Sequence, residues 1–518
     1  MSKTISAATL RDRLLTRLQA PAGNEDWVRV LAVPGHRELL GLIARHEPPS
    51  VGALAELAGR AQPNVSRALS ALMAAALIEI VSDGRRSIPR VTQAGATRVL
   101  ELGLMAAEDE PQPKVSAADL FAIDAAGSAE NDDSRLEGSL TTWLWLSSSR
   151  EKVAARTFGD LDALGIRLLT NWWRILYRRD APYRLWELAL EDGDGSLYGL
   201  AATAYGATVK FHARNANGRT IDFGQSSKSC PVASLEQHLL NEVLRPLAAR
   251  HWLNGRSALS LHGLLNRVED SRGQLTETSF CRTAGALGLS PYDLADDTAE
   301  QIRSLINLIA DEDARLDFSS AVLADSLEEG ESWARQQLSE YKQRNAMPVL
   351  ADLRKNCALN ADAAVRPFKH GYNLAGAARR YLKLSEDRAI GGINGLSMLL
   401  GASDPISLSP EAPGSLRAFQ SLEAEVPTFI VEDEGERASV FTLARGVGDF
   451  IAFGSQASCV ADLYTDRQAV GRAFAAEFMA PRAAVVRMVE EEDQSIFSIA
   501  EHFSVSPSVV HRQYENAA

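Results

Sequence analysis

Residues 36–92 constrain the fold most strongly, because they follow a fixed order of three short helices and one β-hairpin. The segments 36–46, 50–59 and 64–78 have the lengths and apolar spacing of short helices. Ser50 is predicted to cap the second helix and Gly59 to end it. Residues 78–92 then form two predicted strands around the turn signal Asp83-Gly84, and a closing helix follows. The predicted core positions are Leu39, Leu40, Ile43, Val65, Leu69, Leu72 and either Leu77 or Met73.

The charge of the chain is distributed unevenly along its 518 residues. The net charge is −13. Residues 1–100 hold thirteen Lys and Arg against eight Asp and Glu, a local charge of +5, so the remaining 418 residues carry −18. A small basic module is thus attached to a large acidic body, and this asymmetry makes nucleic-acid binding by the amino-terminal end a hypothesis to test.

Polar side chains cluster where the third predicted helix begins and where the hairpin turns. Arg pairs bidentately with guanine, and Gln or Asn with adenine, when a recognition helix presents them to base edges. Arginines in a hairpin meet phosphates or the minor groove. The candidate DNA-binding residues are Gln62, Asn64, Ser66 and Arg67 at the helix, and Arg85, Arg86 and Arg90 in the hairpin.

The stretch from Ser50 to Thr92 resembles the winged helix-turn-helix module of MarR- and ArsR-like transcription regulators. It reads SVGALAELAGRAQPNVSRALSALMAAALIEIVSDGRRSIPRVT. The resemblance implies duplex DNA as the partner, with the third helix as recognition helix and the hairpin as wing. The alternative is the same module used for protein contact.

Beyond residue 100 the sequence predicts a linker and then a mixed domain. Residues 101–138 hold ten acidic and two basic residues together with Pro111 and Pro113, so we predict an acidic linker over 109–138. Half of the eight tryptophans lie between Trp143 and Trp173, which indicates a packed core. Residues 183–224 show strand patterns separated by Asp-Gly and Asn-Gly turns, as in a β meander, and helices dominate from 232 onward.

The carboxy-terminal region resembles the ImmA/IrrE family of zincin-like metallopeptidases. The matching stretches are RPFKHGYNLAGAARRYLKLS (366–385), ERASVFTLARGVGDFIAFG (436–454), RQAVGRAFAAEFMAPRAAV (467–485) and SIAEHFSVSPSVVHRQYEN (498–516). The last of these also has a helix-turn-helix pattern. The resemblance implies an HExxH helix, in which two His bind zinc and the Glu acts as general base.

This chain has Arg445-Gly446-Val447-Gly448-Asp449 where the family has HExxH. Arg445 and Asp449 take the positions of the two His ligands, and Gly446 takes that of the Glu. A guanidinium has no acceptor for a metal, and glycine has no base. The family's third ligand has no clear match among Asp466, Gln468 and Val470. Because Arg445 and Asp449 are one helical turn apart, we expect them to form an ion pair with each other.

Several other classes of protein lack support in the sequence. No run is long and apolar enough to span a membrane, and residues 1–20 lack the apolar core of a signal peptide. The four scattered cysteines fit a reducing cytoplasm and form no zinc ribbon. No P-loop or GxSxG nucleophile elbow is present.

Taken together, the sequence predicts a cytoplasmic α+β protein that is predominantly helical. The expected domains are a winged helix at 1–108, the linker at 109–138, a Trp-rich α+β domain at 139–345 and a pseudopeptidase at 346–518. The expected function is sequence-specific transcriptional regulation, as a homodimer on duplex DNA, without cofactor or metal and with an unknown effector or protein partner. Family context adds a role in stress response. The alternatives are an active zinc endopeptidase that cleaves a repressor, and an interaction component of a phage-defence or toxin–antitoxin system.

Overall fold

The computed structural model shows a mixed helix-and-strand protein in which helix predominates. It divides into two compact units, 1–111 with 480–502 and 506–518, and 112–479 with 503–505. No helix in the described part of the chain is long and apolar enough to cross a membrane. The described residues are 30, 34–46, 48, 50–58, 62–83, 86–92, 94–95, 121–124, 137–147, 151–190, 195–224, 228–253, 259–341, 345–357, 366–403, 405–423 and 425–517.

The first unit begins with the predicted order of three helices and a hairpin. Its elements are α1 (Pro34–His46), α2 (Val51–Leu57), α3 (Gln62–Ala74), β1 (Ile78–Asp83) and β2 (Arg86–Val91). The Ser50 hydroxyl accepts the backbone N–H of Ala53 at 3.1 Å, which confirms the predicted cap of α2. Of the predicted closing helix only residues 94–95 lie within the described residues. Gly59 also lies outside them.

The core of this unit contains the predicted apolar positions. Seven of these side chains are at most 1% exposed: Leu39, Leu40, Ile43, Val65, Leu69, Leu72 and Leu77. Met73 is 43% exposed, so Leu77 and not Met73 completes the set. The chain turns at Ala76, whose positive φ brings Leu77 back under α3.

The second unit opens with a seven-stranded antiparallel sheet whose strands follow chain order. Strands β6 to β8 confirm the predicted meander, while residues 219–224 form only isolated bridges. Strand β3 lies inside the segment predicted as a linker, so this part of the linker is instead paired into the sheet. The strands are β3 (Phe121–Asp124), β4 (Glu137–Trp145), β5 (Lys152–Asp160), β6 (Tyr183–Leu190), β7 (Leu197–Ala204), β8 (Thr208–Asn215) and β9 (Ser229–Pro231).

Helices cover one face of this sheet. Two of them, α4 (Leu161–Thr170) and α5 (Trp172–Tyr177), connect β5 to β6 and bury Trp172 and Trp173 in the core. Trp143 and Trp145 are half-buried instead, because they alternate with the core residues Leu140 and Leu144 and so project from the opposite face.

Helices then dominate the rest of the second unit, as predicted. They are α6 (Val232–His238), a π-helical turn (Leu239–Leu244), α7 (Arg245–Leu253), α8 (Leu259–Gly273), α9 (Leu275–Ala286), α10 (Asp296–Leu308), α11 (Glu312–Val322), a 3-10 turn (Ala324–Ser326), α12 (Leu327–Tyr341), α13 (Val349–Cys357), α14 (Pro367–Tyr381) and α15 (Gly392–Leu399). A three-stranded antiparallel sheet, ordered β11-β10-β12, comprises β10 (Leu416–Glu423), β11 (Val426–Val431) and β12 (Ala457–Ala461). It alternates with α16 (Glu436–Phe453) and α17 (Asp466–Met479).

Three short helices end the chain: α18 (Arg482–Glu490), α19 (Ile496–His502) and α20 (Pro507–Ala517). By compactness these helices belong to the first unit, whereas 346–479 belong to the second. Buried side chains of α11 contact α17 and β12 directly within the second unit. The boundaries at 108, 138 and 345 stay predictions.

Helices α16 and α17 approach closely at a glycine, and this contact carries a stability prediction. A Cβ on Gly448 would lie 2.5 Å from the Cβ of Phe474. We expect Gly448→Ala to lower the free energy of unfolding by about 1–3 kcal/mol through overpacking. Gly263→Ala is the control, because nothing lies within 4 Å of its added Cβ in α8. Urea unfolding should show no loss for the control, and equal effects at both sites would contradict the close contact.

Candidate functional site

The exposed face of α3 is the first candidate site. Ser66, Arg67 and Ser70 are exposed, while Val65, Leu69 and Leu72 anchor the opposite face in the core. The Ser70 hydroxyl donates to the Ser66 carbonyl at 3.0 Å, one turn back along the helix. Apolar residues at helical spacing therefore fix which side chains the helix presents outward. Gln62 and Asn64 lie in the first turn of α3, and their side chains are outside the described residues.

The hairpin places the remaining predicted residues on β2 or next to it. Arg90 is exposed and lies directly opposite the exposed Glu79 of β1. Arg86 is the first residue of β2 and pairs with Asp83, and its side chain is not described. Arg85 lies outside the described residues. The structure thus assigns Ser66 and Arg67 to one exposed helix face, and Arg90 to a strand where a carboxylate is its neighbour.

The second candidate site is the segment of α16 that the sequence analysis compared with HExxH. Arg445 and Asp449 are both buried, but the expected ion pair between them does not form. Arg445 Nη2 instead donates to the Ala461 carbonyl at 2.5 Å and to Gln468 Oε1 at 3.1 Å. Its nearest carboxylate is Asp462, at 3.7 Å. The prediction was wrong because β12 and α17 supply partners that spacing along α16 cannot show.

Asp449 is bound by an arginine that the sequence analysis did not identify. The Arg467 guanidinium holds both carboxylate oxygens, with Nε to Oδ1 at 2.6 Å and Nη2 to Oδ2 at 2.7 Å. The Ser458 hydroxyl donates to the same carboxylate at 2.8 Å. Burial opposes the charge on both groups: it raises the pKa of Asp449 against the attraction of Arg467, whereas Asp449 raises the pKa of the Arg467 guanidinium above its ordinary value. This is a buried, bidentate ion pair.

Gln468 occupies the centre of the same cluster, although its sequence position gave no clear match to the third ligand. Its Oε1 accepts from Arg445 and from the Ala461 N–H, each at 3.1 Å. Its Nε2 donates to Asp317 Oδ2 and to the Cys459 carbonyl, each at 3.0 Å. All four hydrogen-bonding positions of the amide are used, so Gln468 is fixed as a bridge between Arg445 and Asp317.

Asp317 extends the cluster to the first part of the unit. Its Oδ1 accepts from Arg179 Nη1 at 2.7 Å, and its Oδ2 also accepts from Thr465 at 2.9 Å. Arg179 and Asp317 come from residues far before α16, and no motif marks them in the sequence. We call Arg179, Asp317, Arg445, Asp449, Arg467 and Gln468 the buried charge network.

Asp311 lies at the edge of this network and gives it a pH dependence. Burial would raise the pKa of Asp311, but the Ala314 N–H, the Arg467 guanidinium and the Ser455 hydroxyl together lower it below its usual value. A carboxylate whose pKa is lower in the folded state stabilises the fold above its unfolded pKa of about 3.9. That stabilisation is lost as pH falls through the folded pKa.

We therefore expect the stability difference between the parent protein and Asp311→Asn to narrow as pH falls. Asn retains the capping ability of Asp at the start of α11, so the comparison isolates the charge. Urea unfolding at pH 7, 5, 4 and 3 should show the parent protein more stable at pH 7 and 5, with the gap closing at the lowest pH. A gap that stays constant down to pH 3 would contradict the lowered pKa.

Zinc does not fit the positions that the family resemblance implies. A guanidinium occupies the first ligand position, and both oxygens of the second are already bound by Arg467. A Cβ on Gly446, in the position of the general base, would lie 2.8 Å from Cε1 of Phe429. The segment can therefore hold neither the metal nor the base of a zincin.

The four cysteines are buried and unpaired. Burial raises the pKa of Cys230 to about 12, so its thiol is protonated at neutral pH and unreactive.

A comparison with known protein families finds a match in the amino-terminal part of the chain. Residues 33–94 match a family model described as HVO_A0114. This range spans α1, α2, α3 and the β1–β2 hairpin, and it excludes the buried charge network. No curated protein matches the chain, and no solved structure matches it.

Proposed function

We propose that the protein is a cytoplasmic, sequence-specific DNA-binding regulator of transcription, with residues 34–91 acting as a winged helix-turn-helix. The observation that carries this proposal is the exposed face of α3, where Ser66 and Arg67 stand outward opposite a fully buried apolar face. Side chains near the start of such a helix reach base edges in the major groove. The positive charge of residues 1–100 within an acidic chain supports the same partner.

The region resembling ImmA/IrrE is proposed to be catalytically inactive and to act as a sensor or interaction module. The buried charge network supports this, because it fills the ligand positions with groups that hydrogen-bond to one another and to the neighbouring backbone. An effector or partner that binds one arrangement of the protein better than another would shift the population and change operator affinity. A homodimer is proposed because one recognition helix reads only about half of a typical operator.

The test is selection of bound sequences from a random duplex pool, with the parent protein and Arg67→Ala. We expect an enriched palindrome whose affinity falls steeply with salt. Arg67→Ala should weaken binding to that sequence about 10- to 100-fold, as loss of one bidentate base contact does. Arg388→Ala, an exposed arginine of the second unit, is the matched control and should bind normally. Absence of enrichment at any salt concentration would overturn the proposal.

A second candidate is an interaction component in which this module binds a protein. Met73 and Val81 favour it, because these apolar side chains are 43% and 39% exposed on α3 and β1. Binding of a protein partner that depends on Met73 and is insensitive to salt would support this function over DNA binding.

A further inference from the structure

The face of the seven-stranded sheet opposite the helices carries a concentration of positive charge. Direct strand pairing places Lys210, His212 and Arg214 of β8 opposite Thr203, Ala201 and Gly199 of β7, so all six lie on one face. The register continues across β6 to Arg184 and across β5 to Arg156 and Lys152. We call Lys152, Arg156, Arg184, Lys210, His212 and Arg214 the basic sheet face.

Most of this charge is exposed to solvent. Lys152, Arg156, Arg184, His212 and Arg214 are exposed, and Lys210 is half-buried. Glu187 pairs with Arg184, and the carboxylate of Asp466 lies close enough to Lys210 to oppose the effect of burial on the pKa of that lysine. Lys152 and Arg156 also make contacts with other groups. The pKa of His212 is lowered by partial burial and by Lys210, Lys228 and Arg214, as expected where cations crowd together. In a chain with net charge −13, five Lys and Arg on one sheet face indicate an anionic partner.

Aromatic side chains lie on the same face. Phe158 is 71% exposed, two residues beyond Arg156 on β5. Trp143 of β4 is half-buried, with the Lys152 ammonium 5.2 Å from its ring centroid. On the central strand β7 the residues on this side are Leu197, which is 56% exposed, and the smaller Gly199, Ala201 and Thr203. Cations beside exposed aromatic rings suit a sugar-phosphate backbone whose bases stack.

The exposed ring of Phe158 favours a single strand over a duplex, because the bases of a duplex are closed to stacking on a side chain. The sheet that carries these residues is curled, since Leu146, just after β4, bridges to Phe223 after β8. Alternate residues on a strand are about 6.7 Å apart, so Lys210, His212 and Arg214 can each meet one phosphate of an extended chain.

We propose that the basic sheet face binds single-stranded nucleic acid through its backbone phosphates and through base stacking on Phe158. This activity is separate from duplex binding by α3 and does not depend on it.

The test measures binding of labelled oligothymidylate and oligouridylate to the full-length protein across a salt series. Arg156→Glu/Arg214→Glu should weaken binding at least about tenfold near 0.1 M salt and reduce the slope of log K against log salt by about 1.4, or about 0.7 for each lost contact. The control is Lys369→Glu/Arg437→Glu, at two exposed residues of α14 and α16. It changes the net charge by the same amount and should leave the affinity for the oligonucleotides unchanged. Arg67→Ala should also leave it unchanged, which separates this proposal from duplex binding.

Phe158→Ala tests stacking without altering charge. It should weaken oligothymidylate binding at least about fivefold and leave an abasic oligonucleotide of equal length unaffected. Binding of either the DNA or the RNA oligonucleotide with these losses supports the proposal. The proposal would be overturned if neither oligonucleotide bound or if the control variant lost as much affinity. It would also be overturned if polyglutamate displaced the labelled oligonucleotide as effectively as unlabelled oligonucleotide does. Circular dichroism and gel filtration establish that each variant is folded.

Discussion

Asp449→Ala should lower the free energy of unfolding of the second unit by about 3–5 kcal/mol, the usual effect of removing one partner of a buried ion pair. The Arg467 guanidinium would stay buried and lose its bidentate carboxylate, and Ser458 would lose its acceptor. Asp311, at 3.3 Å from Arg467, is partly exposed and compensates only weakly. Urea unfolding followed by tryptophan fluorescence measures the loss, because seven of the eight tryptophans lie in residues 112–479.

Two controls define what that loss means. Glu187→Ala breaks the exposed Arg184–Glu187 pair and should change stability by less than about 1 kcal/mol. Asp449→Leu/Arg467→Met removes both charges and should recover part of the loss, because the uncompensated guanidinium is then absent. An Asp449→Ala protein as stable as the Glu187→Ala protein would show that the buried charge network does not stabilise the fold.

Introducing an HExxH motif at residues 445–449 should destabilise the protein and not create a metal site. We expect Arg445→His/Gly446→Glu/Asp449→His to lose at least about 3 kcal/mol and to purify without stoichiometric zinc. Glu at position 446 would overpack against Phe429, which alone costs about 1–3 kcal/mol, and its carboxylate would be buried without a partner. Gln468 remains in the cluster as an amide, so the third ligand is still missing.

Gly446→Glu alone isolates the steric contribution. Its matched control is Gly376→Glu on α14, where the added Cβ meets only the flexible Arg380 guanidinium at 3.5 Å. Because Arg380 lies four residues later, the control should be neutral or stabilising by about 0.3–1 kcal/mol. Metal analysis and urea unfolding of all three proteins provide the measurement. One equivalent of tightly bound zinc in the triple variant would favour the metallopeptidase alternative.

The sequence predicted the helical and strand elements of residues 36–92 because their signals are local. Apolar spacing in α1 and α3, the Ser50 cap and the Asp83-Gly84 turn each act within a few residues. The choice between Leu77 and Met73 was not local, since it depends on the positive φ at Ala76 that returns the chain beneath α3. Strand β3 escaped prediction for a related reason, because an edge strand in an acidic segment is defined by its pairing with β4.

The segment Arg445-Gly446-Val447-Gly448-Asp449 contains no His and no Glu, so the sequence by itself determined that it lacks the ligands and the base of an HExxH motif. The partners of Arg445 and Asp449 were decided by tertiary structure alone. Arg179, Asp317 and Arg467 reach the site from distant parts of the second unit, and Arg467 rather than Arg445 binds Asp449. Spacing along one helix predicts only which groups face the same way. Which buried charges pair depends on how deeply each is buried and on whether side chains from different elements meet in bidentate geometry. Only the folded chain sets these two conditions.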